Sequence, residues 1–380
     1  MEDALASIKA QHRRYCSWLL DAAYPLWSTK GVDPAGGYFE RLGQDGKPLA
    51  DKRRCRVTPR QAYCFAMGPA LGWRGDAAGL VNHGIEFWYA KFRRPDGLFS
   101  TLINPDFSIA DERAITYDHA FGLLALTIGA TLGDWRATRE RQALELLQTV
   151  LKLTRRPDGG FENGVPTSLP LESNPHMHLF EAALAGSEVS SEASLWKPLA
   201  DEIAEFALAR FFDKNGLLHE FFDTEWKFTE GVKGRIVEPG HQFEWAWLLL
   251  RWAGDRHPKA RAVALKLIDL TESHCVRDGL ALQQVLDDYS PHDPSARLWP
   301  QTERLKAAAL AARTTGDAKY VAIAASAAEN LQRYLATPIP GLWYDRIDAA
   351  GKIVDEPAPA STFYHLVVAV AELSALARHH

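Results

Sequence analysis

Apolar residues return along this chain at the spacing of helix faces, in segments that come two by two. The segments are 5–27 and 58–72, 76–92 and 117–132, 135–153 and 175–186, 194–210 and 240–253, 257–274 and 298–314, and 317–335 and 359–378. In the first of a pair, such as Trp196–Arg210, the apolar positions form one stripe, the signature of a helix with a single buried face. In the second, such as Ala120–Thr131 or Phe243–Trp252, they cover most of the circumference, which suits an element enclosed on all sides. The pattern predicts twelve helices, six outer and six inner.

The breaks between segments repeat too. A Gly followed by apolar or aromatic residues recurs six times, at Gly37, Gly97, Gly160, Gly216, Gly279 and Gly341, spaced 56 to 63 residues apart. Short strand-like excursions follow several of these turns. Gly36–Lys52 carries a Gln44-Asp45-Gly46 hairpin signal, and Leu217–Arg235 reads similarly. Alternating outer and inner helices with short connections predict an all-α fold, a single (α/α)6 barrel spanning 1–380 with β-hairpin excursions at one end. An open solenoid is the competing architecture, but it needs a polar cap at each end. The last segment, Phe363–Leu376, is strongly apolar, so closure is expected.

Composition narrows the function. A net charge of −5 without a dense Lys/Arg cluster argues against nucleic acid and anionic membranes as partners. Glu2 and Asp3 begin the chain where a signal peptide would carry basic residues, and the apolar runs are too short to span a bilayer. The four cysteines, Cys16, Cys55, Cys64 and Cys275, have neither zinc-ligand spacing nor a paired framework. A reduced, cytoplasmic protein is expected. Twelve tryptophans offer faces for sugar rings, though most are expected in the core.

In a closed barrel all inner helices run the same way, so their first residues meet at one end. Those residues are Thr58-Pro59-Arg60 with Tyr63, Thr116-Tyr117-Asp118-His119, Asn174-Pro175-His176-Met177-His178 with Glu181, His241 with Glu244, Trp299-Pro300-Gln301-Thr302-Glu303, and Pro359-Ala360-Ser361-Thr362-Phe363-Tyr364-His365. Pro, Ser, Thr and Asn mark helix starts. The result is a funnel floored by six positive helix ends, an Arg, several His and several carboxylates. Helix ends favour anions and depress a nearby imidazole's pKa, so the funnel suits a reaction that passes through an oxyanion, with neutral imidazoles as bases.

Other chemistries fit less well. His176 and His178 read as a chelate, but residues two apart on a helix point about 200° from one another. His178 with Glu181 and His241 with Glu244 do share faces, so a two-His, two-carboxylate metal site remains a rival. No phosphate-cradling Gly-rich loop and no nucleophile elbow occur. A glycoside hydrolase would draw its two carboxylates from Asp118, Glu181, Glu244 and Glu303. His12, His83, His257, His274 and His292 read as surface or packing residues, His379 and His380 as a frayed tail, and His119 as either a site residue or an internal hydrogen-bonding one.

Five segments carry a resemblance: Tyr117-Asp118-His119-Ala120-Phe121, Asn174–Ala182, Pro239–Trp247, Leu298–Lys306 and Phe363-Tyr364-His365. Together they resemble the N-acylglucosamine 2-epimerase superfamily over essentially the whole chain, and most closely its aldose–ketose isomerase branch. The resemblance implies the (α/α)6 barrel, no metal, no redox cofactor and a small monosaccharide substrate on a monomer or homodimer. It assigns the proton transfers to His241 and His365, supported by Arg60, Glu244 and His178. It places Tyr117, Asn174, Glu181, Trp299 and Glu303 on the substrate, and makes His176 a weaker candidate than His178. The implied reaction interconverts a hexose such as mannose with fructose through a cis-enediolate. His365 moves the C2 proton to C1, His241 (oriented by Glu244) helps open the ring, and Arg60 steadies the oxyanion. The alternative is 2-epimerisation of N-acylglucosamine, mannose or a cellobiose-type sugar. Members that take a sulfonated sugar use an Arg before the eighth helix; Arg235 lies nearby, without matching spacing.

Overall fold

The computed structural model describes residues 2–379. Its twelve long helices alternate as the apolar pattern requires. The outer ones are α1 (Glu2–Trp18, continued through a π-helical turn, Leu19–Ala23, into Tyr24–Trp27), α3 (Ala77–Phe92), α5 (Arg136–Thr154), α7 (Ala193–Arg210), α9 (Pro258–Cys275) and α11 (Ala318–Leu335). The inner ones are α2 (Val57–Leu71), α4 (Thr116–Gly129), α6 (Ser173–Val189), α8 (Pro239–Ala253), α10 (Leu298–Thr315) and α12 (Ser361–His379).

Burial separates the two sets. In α5 only Arg139, Ala143, Leu146, Leu147, Val150 and Thr154 are buried, a single stripe. Its Leu and Val side chains each contribute about 1.5–3 kcal/mol to docking. In α10 every residue from Leu298 to Ala312 is buried, charged Arg304 and Lys306 included. Helix ends follow local chemistry. Asp76 and Asp317 accept from backbone N–H groups of the first turns of α3 and α11, Pro239 and Pro258 open α8 and α9, and Gly72 and Gly316 leave α2 and α10 in the left-handed region.

The inner helices pack in sequence order from α2 to α12, and α12 packs on α2, while α1 packs on both α11 and α12. This ring is the (α/α)6 barrel. Short antiparallel strands tie it together at one end. The strand before each inner helix pairs with the strand after the following turn: Arg53–Arg54 with Leu102–Ile103, Ala114–Ile115 with Gly164–Val165, Leu171–Glu172 with Phe221–Phe222, Ile236–Val237 with Gln284–Leu286, and Ala296–Arg297 with Arg346–Ile347. The sixth pair joins Ala358–Pro359 to Arg41–Leu42, so the last repeat closes on the first. All six turn glycines have positive φ, from 67° to 95°. At Gly341 a Cβ would also approach the Ala22 carbonyl oxygen to 2.7 Å.

His379 is not frayed; it ends α12, and His380 lies outside the described residues. The four cysteines are free, and no helix among the described residues is long and apolar enough to cross a membrane.

Candidate active site

A cavity of about 410 Å³ opens at the end of the barrel where the inner helices begin. Its lining is split by charge. Arg54, Arg56, Arg60 and Arg297 come from α2, the strand before it and the strand before α10; Glu172, Glu220, Glu238 and Glu244 come from the α6–α8 side. His178, His241, Trp299, His365, Tyr117 and Asn174 complete the wall. The structure thus brings both imidazoles that the sequence singled out into one pocket, each against Trp299. The Trp299 ring lies 5.1 Å from that of His241 and 5.8 Å from that of His365. Trp299 fits there because residue 240 is Gly: a Cβ would meet the indole at 2.3 Å.

The two rings sit in opposite electrostatic settings. His365 Nδ1 donates to Glu303 Oε1 at 2.7 Å, because a carboxylate only accepts, which leaves Nε2 as a free acceptor. Burial, with the cations of Arg60 and Lys306, holds this imidazole well below its ordinary pKa, so it stays neutral. His241 Nδ1 donates to Glu220 Oε2 at 2.9 Å, and Glu238 Oε2 stands 3.5 Å away. Burial disfavours the charged ring, but the carboxylates of Glu220 and Glu238 outweigh it and push the pKa up to about 10. Two expectations are corrected here. Glu244 does not orient His241, and helix-end potential does not keep His241 neutral, because two closer carboxylates decide both matters.

Beneath the cavity lies a buried charge network. Lys306 Nζ, with no exposed surface, stands 2.6 Å from Glu303 Oε2 and 3.8 Å from Glu244 Oε1. Burial opposes its charge, but Glu303, Glu244 and Glu181 raise its pKa, so it remains an ammonium. Glu244 is pushed up to about 7 by burial and by Glu303. Glu181 accepts from Tyr364 Oη and faces His178 Nδ1 at 3.5 Å; despite burial these contacts and Lys306 hold it at about 2. Glu181 and Glu303, expected on the substrate, therefore stand behind His178 and His365 instead of lining the cavity. Donor atoms of His178, Glu181 and Glu244, and of Glu244, Glu303 and His365, lie within 4.8 Å of one another, close enough for a metal. The Lys306 ammonium, however, already occupies the place of a cation beside Glu303 and Glu244.

Arg60 donates to the Ser361 carbonyl at 3.1 Å and to Tyr117 Oη, and its guanidinium lies 3.9 Å from the Phe121 ring centroid. It takes part in no ion pair among the described residues. Arg235 points away, paired with Asp287 and Asp288.

His176 and His119 belong to the scaffold. Each donates Nδ1–H to a carbonyl one turn back, and each accepts at Nε2 from a turn N–H, that of Phe161 or Phe99, at 2.9 Å. Gln242 and Gln301 clamp the turns of the next two repeats through Leu218 and Ala281. Burial takes His176 down to about 4, so it acts as a neutral connector. Changing His176 to Gln should therefore keep kcat/KM within about threefold, since glutamine already makes this contact elsewhere. A loss of a hundredfold with the fold intact would assign His176 to the chemistry.

Sequence reasoning passed over Glu220, Glu238, Lys306 and Tyr364. Glu220 had a positional signal: a polar residue follows each turn glycine by three or four positions (Glu40, Thr101, Asn163, Glu220, Gln283, Asp345).

Residues 37–369 match the sequence family described as N-acylglucosamine 2-epimerase. The chain belongs to that family. It is 45% identical to a mannose-6-phosphate isomerase of Rhizobium meliloti (strain 1021), covering 96% of this chain and 97% of that one. A D-mannose isomerase of Thermobifida fusca is 26% identical over 90% and 89% of the two chains. The fold matches that of the cellobiose 2-epimerase from Bacillus thermoamylovorans B4167, with a TM-score of 0.85, 17% identity and coverage of 96% and 99%. As a member of the N-acylglucosamine 2-epimerase family the protein is a sugar isomerase in the broad sense that takes in epimerases.

Proposed function

We propose that the protein is an aldose–ketose isomerase that interconverts a mannose-configured hexose, free or 6-phosphorylated, with the matching fructose. The observation that carries this reading is the pair of unlike imidazoles in one pocket, His365 held at Nδ1 by Glu303 with Nε2 free, and His241 set between the carboxylates of Glu220 and Glu238. The two relatives named as isomerases of mannose and of its 6-phosphate support it.

In the opening of the pyranose His241 gives its proton to O5 and takes up the O1 proton in return, so it leaves the step protonated again. His365 Nε2 then takes the C2 proton, and the C2–H electron pair forms the C1=C2 bond and leaves its charge on O1. Arg60 steadies that oxyanion. His365, its proton exchanged with solvent while the enediolate lasts, then protonates C1 as the O2 proton passes to O1, which leaves the C2 carbonyl of the ketose. A positioned base is worth about 10²–10⁴-fold.

The pKa directions give an expected pH profile. The base is lowered, so it stays neutral, and activity persists, below pH 6.5. The acid is raised, so activity should fall only as His241 loses its proton near pH 10. A plot of log kcat/KM against pH should show a broad plateau; an acid limb above 6.5 would count against His365 as the base.

A 2-epimerase would use the same groups, with His241 delivering its proton to the opposite face of C2. Incubation of mannose and mannose 6-phosphate in D2O with EDTA separates the readings. Ketose bearing deuterium at C1 is expected. Glucose or its phosphate as the sole product, labelled at C2, would replace the isomerase with an epimerase.

A further inference from the structure

We infer that the cavity contains a phosphate subsite at the first residues of α12, formed by Arg54 and Arg297 beside Ser361 and Thr362, which holds the C6 substituent of a hexose 6-phosphate. The inference rests on the isomerase reading and adds the group that selects the substrate.

Three guanidinia converge on this helix start. Arg54 Nη2 donates to Ser361 Oγ at 3.3 Å, and Arg60 Nη1 donates to the Ser361 carbonyl at 3.1 Å. Arg297 binds Asp345 Oδ2 through Nε at 2.9 Å, and the other Asp345 oxygen accepts from Thr362 Oγ1 at 3.0 Å. All five of these side chains line the cavity, Asp345 excepted.

The charge balance favours an anion there. Glu40 and Asp345 offset Arg54 and Arg297 one for one, whereas Arg60 makes no ion pair among the described residues. The Nη1 groups of Arg54 and Arg297 make no hydrogen bond among the described residues, and both side chains are partly exposed, at 39% and 32%. Guanidinium forks suit phosphate geometry, and the positive end of a long helix adds to them. The carboxylates that would repel an anion, Glu172, Glu220 and Glu238, gather on the α6–α8 side around His241.

Reach agrees with charge. Ser361 and His365 are four residues apart on α12 and share a face, a rise of about 6 Å. The carbon chain of an open hexose 6-phosphate from C2 to C6, plus the ester oxygen, covers a similar length. A phosphate at Ser361 therefore sets C2 beside His365 Nε2.

The test compares mannose with mannose 6-phosphate in the wild type, Arg54→Gln, Arg297→Gln and the double variant, with inorganic phosphate as inhibitor and calorimetric probe. The wild type should favour the phosphorylated sugar, and inorganic phosphate should compete with mannose. Each single variant should lower the ratio of kcat/KM for mannose 6-phosphate over mannose at least tenfold and weaken phosphate binding in parallel. A ratio unmoved in both variants, or no phosphate competition in a wild type that isomerises mannose, overturns the subsite and leaves the isomerase reading standing. If neither sugar yields ketose, the isomerase reading falls, and calorimetry on the double variant alone decides the subsite: phosphate binding lost supports it, binding retained overturns it.

Discussion

Asparagine at position 365 should cut kcat about 10²–10⁴-fold while leaving thermal stability nearly unchanged. The substitution keeps a polar side chain beside Glu303 Oε1 but removes the ring nitrogen that faces the cavity. The defect should appear in kcat more than in KM, because the lost interaction is made in the transition state and the sugar contacts proposed for Tyr117, Asn174 and Trp299 are untouched. Steady-state rates with circular dichroism on the same sample check this. A folded variant with near-normal turnover would strip His365 of its role.

Methionine at position 306 should have the second large effect, on stability and rate together. It leaves the buried carboxylates of Glu303 and Glu244 without their cation. Breaking a buried pair by removing one partner costs about 3–5 kcal/mol. The kinetic effect follows from the hydrogen bond: once Glu303 takes up a proton to stay neutral, it no longer fixes Nδ1–H of His365, and Nε2 loses its standing as acceptor. Adding Glu303→Gln to Lys306→Met should recover much of the stability, since both charges are then gone, but not the rate. Full recovery of the rate would reduce Lys306 to a packing residue.

The helices and their order were legible because a closed ring of two layers imposes two apolar patterns, a stripe outside and full coverage inside. The turn glycines were legible because the left-handed region restricts those positions to few residues. Partners that the chain brings together from a distance were not. His241 and Glu244 share a helix face and looked like a pair, yet the hydrogen bond goes to Glu220, twenty-one residues earlier. Gln242, next to His241, clamps Leu218, and Leu171–Glu172 pairs with Phe221–Phe222, so Glu220 is fixed between them by contacts that no local pattern reveals. Glu238 stands as far from His241 in sequence as Glu244 does, but on the N-terminal side of it. Lys306 was visible at the end of the Leu298–Lys306 motif. Its placement three residues after Glu303 is an ordinary helical pair on a surface; full burial is what gives it leverage over His365.

The protonation states were the least legible part. Six helix N-termini suggested neutral imidazoles throughout, and burial does keep His178 and His365 below their ordinary values. His241 goes the other way because carboxylates in direct contact act far more strongly than a helix end, which is worth about 0.3–1 kcal/mol. The acid and base of the proposed reaction are told apart by that difference.

Proton exchange at C2 tests the central claim most directly. Wild type and folded His365→Asn are each incubated with mannose in D2O, and the C2 proton signal is followed by NMR. The account expects loss of the signal and deuterium at C1 of the ketose with wild type, and no exchange with the variant over the same time. Exchange by the variant at the wild-type rate would contradict it.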